Sequence, residues 1–118
     1  MNHDDSLRQI RDALRAFATE RDWERFHTPK NLAMALAGEA GEVIEHFQWL
    51  SAEESAALPE AGRAEVALEL ADVLLYLVRL ADVMQIDLAD AARRKLAINA
   101  ERYPADKARG SAQKYNRL

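Results

Sequence analysis

The 118-residue chain contains no cysteine. Disulfide bonds, thiolate catalysis and zinc–thiolate sites are therefore excluded, and the absence fits a reducing cytosol. Residues 1–5 also lack the basic start and the apolar run of a signal peptide. We therefore expect a cytoplasmic protein.

Long hydrophobic runs and dense basic clusters are also missing. The apolar run Val73–Val78 is far too short to span a bilayer. The net charge is -4, so neither a membrane nor duplex nucleic acid is expected as a partner. Small polyanions remain possible partners if a metal mediates the contact.

Alternating β-branched runs are absent as well, whereas Ala, Leu, Glu and Arg dominate, which predicts an all-α chain. We expect a single domain, residues 1–118, with a four-helix bundle-like fold and tails at 1–4 and 105–118, the second of them polar. Caps and breakers place the four helices and the connection between the second and third. The predicted helices run from Ser6 to about Arg21, from Thr28-Pro29 to near Trp49, from Pro59 or Gly62 to about Met84, and, after an Asp87 N-cap, from Leu88 to about Tyr103, with a Ser51–Glu54 capping box in the 51–62 connection.

Two acidic pairs stand out in this helical pattern, Glu39-Ala-Gly-Glu42 and Glu69-Leu-Ala-Asp72. Residues three apart on a helix are neighbours, so each pair repels itself by roughly 0.2 to 0.5 kcal/mol. Carboxylate oxygens are the preferred ligands of Mg²⁺ and Mn²⁺, which would compensate this repulsion. The pairs therefore indicate a site for a hard divalent cation.

Helical projection at about 100° per residue places each pair beside an apolar stripe. Glu39 and Glu42 share their flank with His46, whereas Glu45 points to the opposite side. Antiparallel packing along the stripes would bring both acidic flanks to one groove. The alternative is that the acids are ordinary solvated faces. On the third predicted helix, the flank beside the apolar stripe is predicted to hold Glu65, Glu69, Asp72 and Tyr76. Arg79 is predicted to point away from this flank.

Large aromatic residues fall mainly at helix junctions. Trp23, Phe26 and His27 lie between the first two predicted helices, and Trp49 ends the second. Such residues can seal the ends of a bundle. Two aromatic faces and one hydrogen-bonding side chain are also what a planar base requires.

The last predicted helix carries Lys95, Asn99 and Arg102 at i, i+4 and i+7. These side chains share a face, and two cations with an amide could hold phosphate oxygens. An ordinary solvated face near a helix C-terminus, where cations are favoured, is an equal alternative.

These residues carry a resemblance over roughly Arg21 to Tyr115. The segment Asn31–Trp49, the motif Glu69-Leu-Ala-Asp72-Val-Leu-Leu-Tyr76 and the block from Lys95 to Pro104 resemble the all-α nucleotide pyrophosphohydrolases, the MazG-like superfamily. The segment Arg21-Asp-Trp-Glu-Arg-Phe-His27 is most similar to the dCTP pyrophosphatase branch.

The resemblance implies a Mg²⁺-dependent enzyme, with Mn²⁺ as a substitute, that hydrolyses a nucleoside triphosphate to the monophosphate and pyrophosphate. A dCTP-like pyrimidine deoxynucleotide and a role in nucleotide-pool sanitation are expected. It also implies a homodimer or homotetramer with pockets built between subunits. The matching residues are Glu39, Glu42, Glu69 and Asp72 for catalysis and metal binding, and Trp23, Glu24, Arg25, Phe26, His27, Trp49, Tyr76, Lys95, Asn99 and Arg102 for substrate binding.

The sequence departs from the wider pattern at two positions. Gly38 precedes Glu39 where the superfamily often has a second acid, and Leu14 aligns with a pocket histidine of animal relatives. The preferred base is therefore left open, as is the choice of Glu39 or Glu42 as the general base. A nucleotide or metal sensor without turnover, or a helical interaction module, are the alternative functions.

Overall fold

The structure, a computed structural model, describes residues 3–118, with side chains from residue 6 onward. Within these residues it is helical with no strand, which confirms the all-α prediction. No helix in the described part of the chain is long and apolar enough to cross a membrane. The helices are α1 (His3–Glu20), α2 (Pro29–Glu45), α3 (Ala52–Ser55), α4 (Glu60–Val83), α5 (Leu88–Arg102) and α6 (Ala105–Ala108), with 3-10 turns at Glu24–Phe26 and Tyr115–Arg117.

The helix starts follow the predicted caps. Thr28 caps α2, accepting a hydrogen bond from the backbone N–H of Asn31 at 3.2 Å, with Pro29 in the first turn. Ser51 and Glu54 form the reciprocal capping box of α3. Asp87 caps α5 by accepting from the backbone N–H of Asp90 at 3.0 Å. Local polar chemistry therefore sets where these three helices begin.

The end of α2 was predicted wrongly. The helix ends at Glu45, and a tight turn follows in which the N–H groups of Phe47 and Gln48 both donate to the carbonyl of Ile44. The chain has left the α-helix before it reaches Ser51, which has extended backbone angles as the N-cap of α3. Trp49 therefore lies in a turn.

The terminal tails were also predicted wrongly where the structure describes them. Residues 3 and 4 belong to α1, while residues 1 and 2 lie outside the described part of the chain. The 105–118 segment contains α6 and the second 3-10 turn. Tyr115 packs edge-on against Tyr103 with ring centroids 6.0 Å apart, which holds the segment in place.

The described chain forms two compact units, one ending at Ile86 and one from Asp87 to Leu118. In the first unit, α2 packs along α4, and α1 also packs on α4. The small buried core consists of Ala18, Leu32, Val78 and Ala81. Glu39 of α2 lies near Asp72 of α4, whereas His46, at the end of α2, lies beside Glu69, which comes earlier in α4. The two helices are therefore antiparallel, the arrangement that brings the acidic pairs together.

Candidate active site

Three carboxylates converge where α2 crosses α4. Glu39 of α2 and Glu69 and Asp72 of α4 each offer one oxygen, and these oxygens lie within 4.8 Å of one another. Glu39 and Glu69 are half-buried and Asp72 is exposed. The spacing of three on α4 puts both of its acids on the face that meets α2.

Two oxygens of this cluster lack a partner. Oε2 of Glu39 and Oε2 of Glu69 are buried and accept no hydrogen bond within the described chain. Buried charged oxygens are costly unless they are paired with a cation or donors. An all-oxygen set of this kind fits a hard divalent cation such as Mg²⁺ or Mn²⁺.

Two carboxyl groups of the cluster, Glu39 and Glu69, have raised pKa values, so their charged forms are disfavoured. Partial burial, followed by the neighbouring Glu42 carboxyl, raises the pKa of Glu39. Side-chain hydrogen bonding with Glu42, followed by partial burial, raises the pKa of Glu69. Glu42 is exposed and is not one of the three converging acids, although it borders two of them. A cation would relieve the repulsion among all four groups.

Other polar residues of the predicted flank differ in their placement. His46 Nε2 lies 3.8 Å from Glu69 Oε1, beside the acids as predicted from the projection. Tyr76 is half-buried, one turn of α4 beyond Asp72. Glu65 is exposed one turn before Glu69, and Glu45 is exposed.

The turn between α1 and α2 groups several predicted substrate residues. The rings of Trp23 and His27 meet edge-on with centroids 6.3 Å apart, and Trp23 is still 43% exposed. The 3-10 turn Glu24–Phe26 lies between them. Arg25 pairs with Asp22 at 3.3 Å and lies over the Phe26 ring, at 5.0 Å from its centroid. An aromatic face and an imidazole are thus available together.

Trp49 is placed differently from Trp23. It is 86% exposed in the turn after α2, and within the described residues its ring meets no other aromatic ring. The structure does not bring it together with Trp23, so a two-tryptophan stack is not formed within this chain.

The predicted phosphate-binding face belongs to the second unit. Lys95 is exposed and Asn99 is half-buried on α5. The guanidinium of Arg102 lies 4.8 Å from the ring centroid of Tyr115, a cation–π contact. The three side chains share a helix face, as their spacing predicts.

Sequence reasoning missed Arg79, which was predicted to point away from the site. Arg79 is only 8% exposed, and its Nε donates to Nδ1 of His27 at 3.0 Å. Its Nη1 lies 3.4 Å from Oδ2 of Asp82. The i, i+3 spacing of Arg79 and Asp82 was a signal that could have revealed this pair.

Comparison with known proteins decides the family. The model of the MazG-like family matches residues 35–118, which contain the acidic cluster. The chain belongs to the MazG-like family. This confirms the resemblance carried by the two acidic motifs.

Individual relatives of this MazG-like protein extend the match. dCTP pyrophosphatase 1 of Mus musculus is 49% identical over 115 residues, covering 96% of this chain and 68% of the mouse protein. The Homo sapiens protein of the same name is 48% identical with the same coverage. A crystal structure of a pyrophosphatase from Archaeoglobus fulgidus DSM 4304 superimposes with a TM-score of 0.80 at 40% identity, covering 88% of this chain and 95% of that one. The similarity therefore includes both sequence and fold.

Proposed function

We propose that this MazG-like protein hydrolyses a pyrimidine deoxynucleoside triphosphate of the dCTP type to the monophosphate and pyrophosphate, in nucleotide-pool sanitation. The observation that carries the proposal is the convergence of Glu39, Glu69 and Asp72, with two buried oxygens that have no partner. The similarity to dCTP pyrophosphatase 1 over 96% of the chain supports both the enzyme class and the substrate class.

Mg²⁺, or Mn²⁺ as a substitute, is the cation that we propose for the cluster. Glu39, Glu69 and Asp72 would hold it, and Glu42 borders them. When bound, the ion would offset charge on the phosphoryl oxygens and lower the pKa of a water molecule. Without a cation, the carboxylates would repel a polyphosphate.

The acidic side chains and Tyr76 have separate proposed roles in the reaction. We assign the acceptance of the attacking water's proton to Glu42, because it borders the cluster but is not among its three converging acids. Glu39, Glu69 and Asp72 would hold the cation, which would supply positive charge to the reacting phosphate. Tyr76 lies one turn beyond Asp72 on α4, and we propose that it contacts the substrate there.

We propose that the α1–α2 turn receives the base. Trp23 offers an exposed aromatic face, and His27 beside it offers a hydrogen-bonding edge. Glu24, Arg25 and Phe26 complete this turn. Roles for Trp49 in base stacking and for Lys95, Asn99 and Arg102 in triphosphate binding stay predictions, as does a cytoplasmic location.

A panel of triphosphates tests the proposed function. The wild-type protein with Mg²⁺ is expected to release pyrophosphate, and no orthophosphate, from dCTP faster than from purine nucleoside triphosphates. The nucleotide products are separated by chromatography, and pyrophosphate and orthophosphate are assayed separately. Tight nucleotide binding without turnover would instead support a sensor, and no binding would support an interaction module.

We further propose that the protein is a homodimer or homotetramer. Large apolar side chains on the two main helices remain exposed, including Met34 at 64% and Leu68 at 71%. Contiguous exposed apolar surface is uncommon on monomers and marks interaction sites. The family match covers parts of both compact units, which supports their acting as one domain in each copy.

Light scattering at micromolar concentration tests this assembly. The expected mass is two or four times the 13.3 kDa of the chain. A monomeric mass would contradict the proposal. Replacement of Leu68 by Lys is expected to lower the mass. Replacement of Glu45, which is exposed and already polar, by Lys provides the control.

A further inference from the structure

Arg79 is a charged residue buried within the first unit. It lies on α4 and is 8% exposed, beside Ala81 and Val78 of the core. Buried arginine is rare unless it is paired, and this one has two polar partners, His27 and Asp82. Its position is therefore set by specific contacts.

Asp82 fixes the orientation of the Arg79 guanidinium. Asp82 accepts from Arg79 Nη1 and also from Arg15, whose Nε lies 2.8 Å from Oδ2. The hydrogen bond from Arg15 is the main reason that the pKa of Asp82 is lowered. Asp82 thus stays charged and anchors the guanidinium on one side while the Nε–H points to the imidazole.

This contact determines which nitrogen of His27 carries the proton. A guanidinium has only donors, so the imidazole nitrogen that faces it, Nδ1, must be an acceptor. A neutral imidazole then carries its hydrogen on Nε2. Within the described residues Nε2 has no hydrogen-bond partner, so this donor is available to a ligand.

The surroundings also favour the neutral form. Burial, and then the charge of Arg79, lower the pKa of His27, while Glu24 acts in the opposite direction. Protonation of Nδ1 would replace the Arg79 hydrogen bond by a contact between two cations. The Nε2–H form therefore persists at neutral pH.

The distance along α4 fits one nucleotide. Arg79 follows Asp72 by seven residues, which is roughly 10 Å along a helix and returns to nearly the same face. His27 and the exposed face of Trp23 are therefore at the end of the site away from the acids. This is the end that would receive a base when the phosphates lie at the cluster.

We propose that Arg79 is a positioning residue that holds His27 as an Nε2–H donor, so that the site selects a pyrimidine with an unprotonated N3. This inference rests on the proposed function and deepens it by assigning the choice of base. Cytosine presents N3 as an acceptor, whereas uracil and thymine present an N3–H donor. A fixed Nε2–H donor can hydrogen-bond to N3 of cytosine, whereas it meets another donor at the N3–H of uracil or thymine.

The test combines nuclear magnetic resonance with kinetics. Imidazole ¹⁵N shifts report which nitrogen of His27 is protonated, and the ratio of kcat/KM for dCTP to that for dUTP reports base selection. The wild type is expected to show Nε2–H and a ratio of roughly ten- to hundredfold. Arg79→Lys, which keeps a donor-only group, is expected to retain both signatures.

Arg79→Met removes the donor while keeping an apolar stem. It is expected to give a mixture of tautomers and a ratio near one, whereas Arg63→Met, at an exposed position of the same helix, leaves both unchanged. If Arg79→Met fails to fold, His27→Phe keeps a ring without the donor and is expected to abolish the ratio. Circular dichroism establishes folding of each variant.

The outcomes separate this role from the proposed function. A wild type that carries the proton on Nδ1, or hydrolyses dCTP and dUTP equally, contradicts the role of Arg79 while leaving pyrophosphohydrolysis intact. A ratio that survives in folded Arg79→Met or in His27→Phe contradicts it as well. Release of no pyrophosphate from any triphosphate contradicts the proposed function, and base selection with it.

Discussion

Replacement of Asp72 by Asn, or of Glu39 by Gln, is expected to lower kcat/KM by more than about 100-fold. Loss of a residue that only supports a metal ligand typically costs 10–100-fold, so loss of a ligand itself should cost more. Both acids contribute an oxygen to the three-carboxylate cluster. The measurement is the steady-state release of pyrophosphate from dCTP in saturating Mg²⁺.

The helical fold should survive these changes. Removing one negative charge relieves repulsion within the cluster, so the metal-free variants are expected to melt no lower than the wild type. Glu45→Gln is the matched control, because Glu45 is an exposed acid of the same helix as Glu39. Full activity in folded Asp72→Asn, or an equal loss in Glu45→Gln, would overturn the assignment of the cluster.

Mg²⁺ is expected to stabilise the protein increasingly as the pH rises. The pKa values of Glu39 and Glu69 are raised above the ordinary 4.5 in the folded protein. Their contribution to stability is therefore fully present below that pH and is lost as the pH rises through the raised values. A cation binds the deprotonated form and offsets this loss.

The expected size of the effect follows from mass action. At a Mg²⁺ concentration about 100 times Kd, the free energy of unfolding should increase by roughly 2.7 kcal/mol. Thermal melts with and without Mg²⁺, from acidic to neutral pH and at matched ionic strength, measure it. The Glu69→Gln, Asp72→Asn double variant should show no increment, and an equal increment in that variant would refute cation binding at the cluster.

Much of the helical framework could be predicted because its signals are local. Thr28-Pro29, the Ser51–Glu54 box and Asp87 each satisfy backbone groups within one turn. The end of α2 was less predictable, since apolar residues continue to Trp49. There the N–H groups of Phe47 and Gln48 both donate to the carbonyl of Ile44, and the apolar pattern does not predict this turn.

The acidic half of the site could also be predicted, and the base end only in part. The i, i+3 spacing puts Glu69 and Asp72 on one face, and the antiparallel packing of α2 supplies Glu39. The projection of α4 was wrong for Arg79, because a residue seven positions after Asp72 returns to nearly the same face of the helix. Its contact with His27 could not be predicted in this way, since the two residues lie 52 positions apart. A long-range pair of this kind leaves no periodic trace in one sequence.

The C-terminal segment shows the same limitation. A polar composition predicted an extended tail, but a ring contact with Tyr103 and a cation–π contact with Arg102 fix Tyr115. These contacts join residues more than one helical turn apart. Composition alone therefore underestimated the order of residues 105–118.

Product analysis after incubation of the wild-type protein with dCTP and Mg²⁺ tests the central claim most directly. The account predicts equal molar amounts of dCMP and pyrophosphate, with no dCDP or orthophosphate, and no reaction in the presence of a chelator. Formation of dCDP with orthophosphate, or undiminished turnover under chelation, would contradict it.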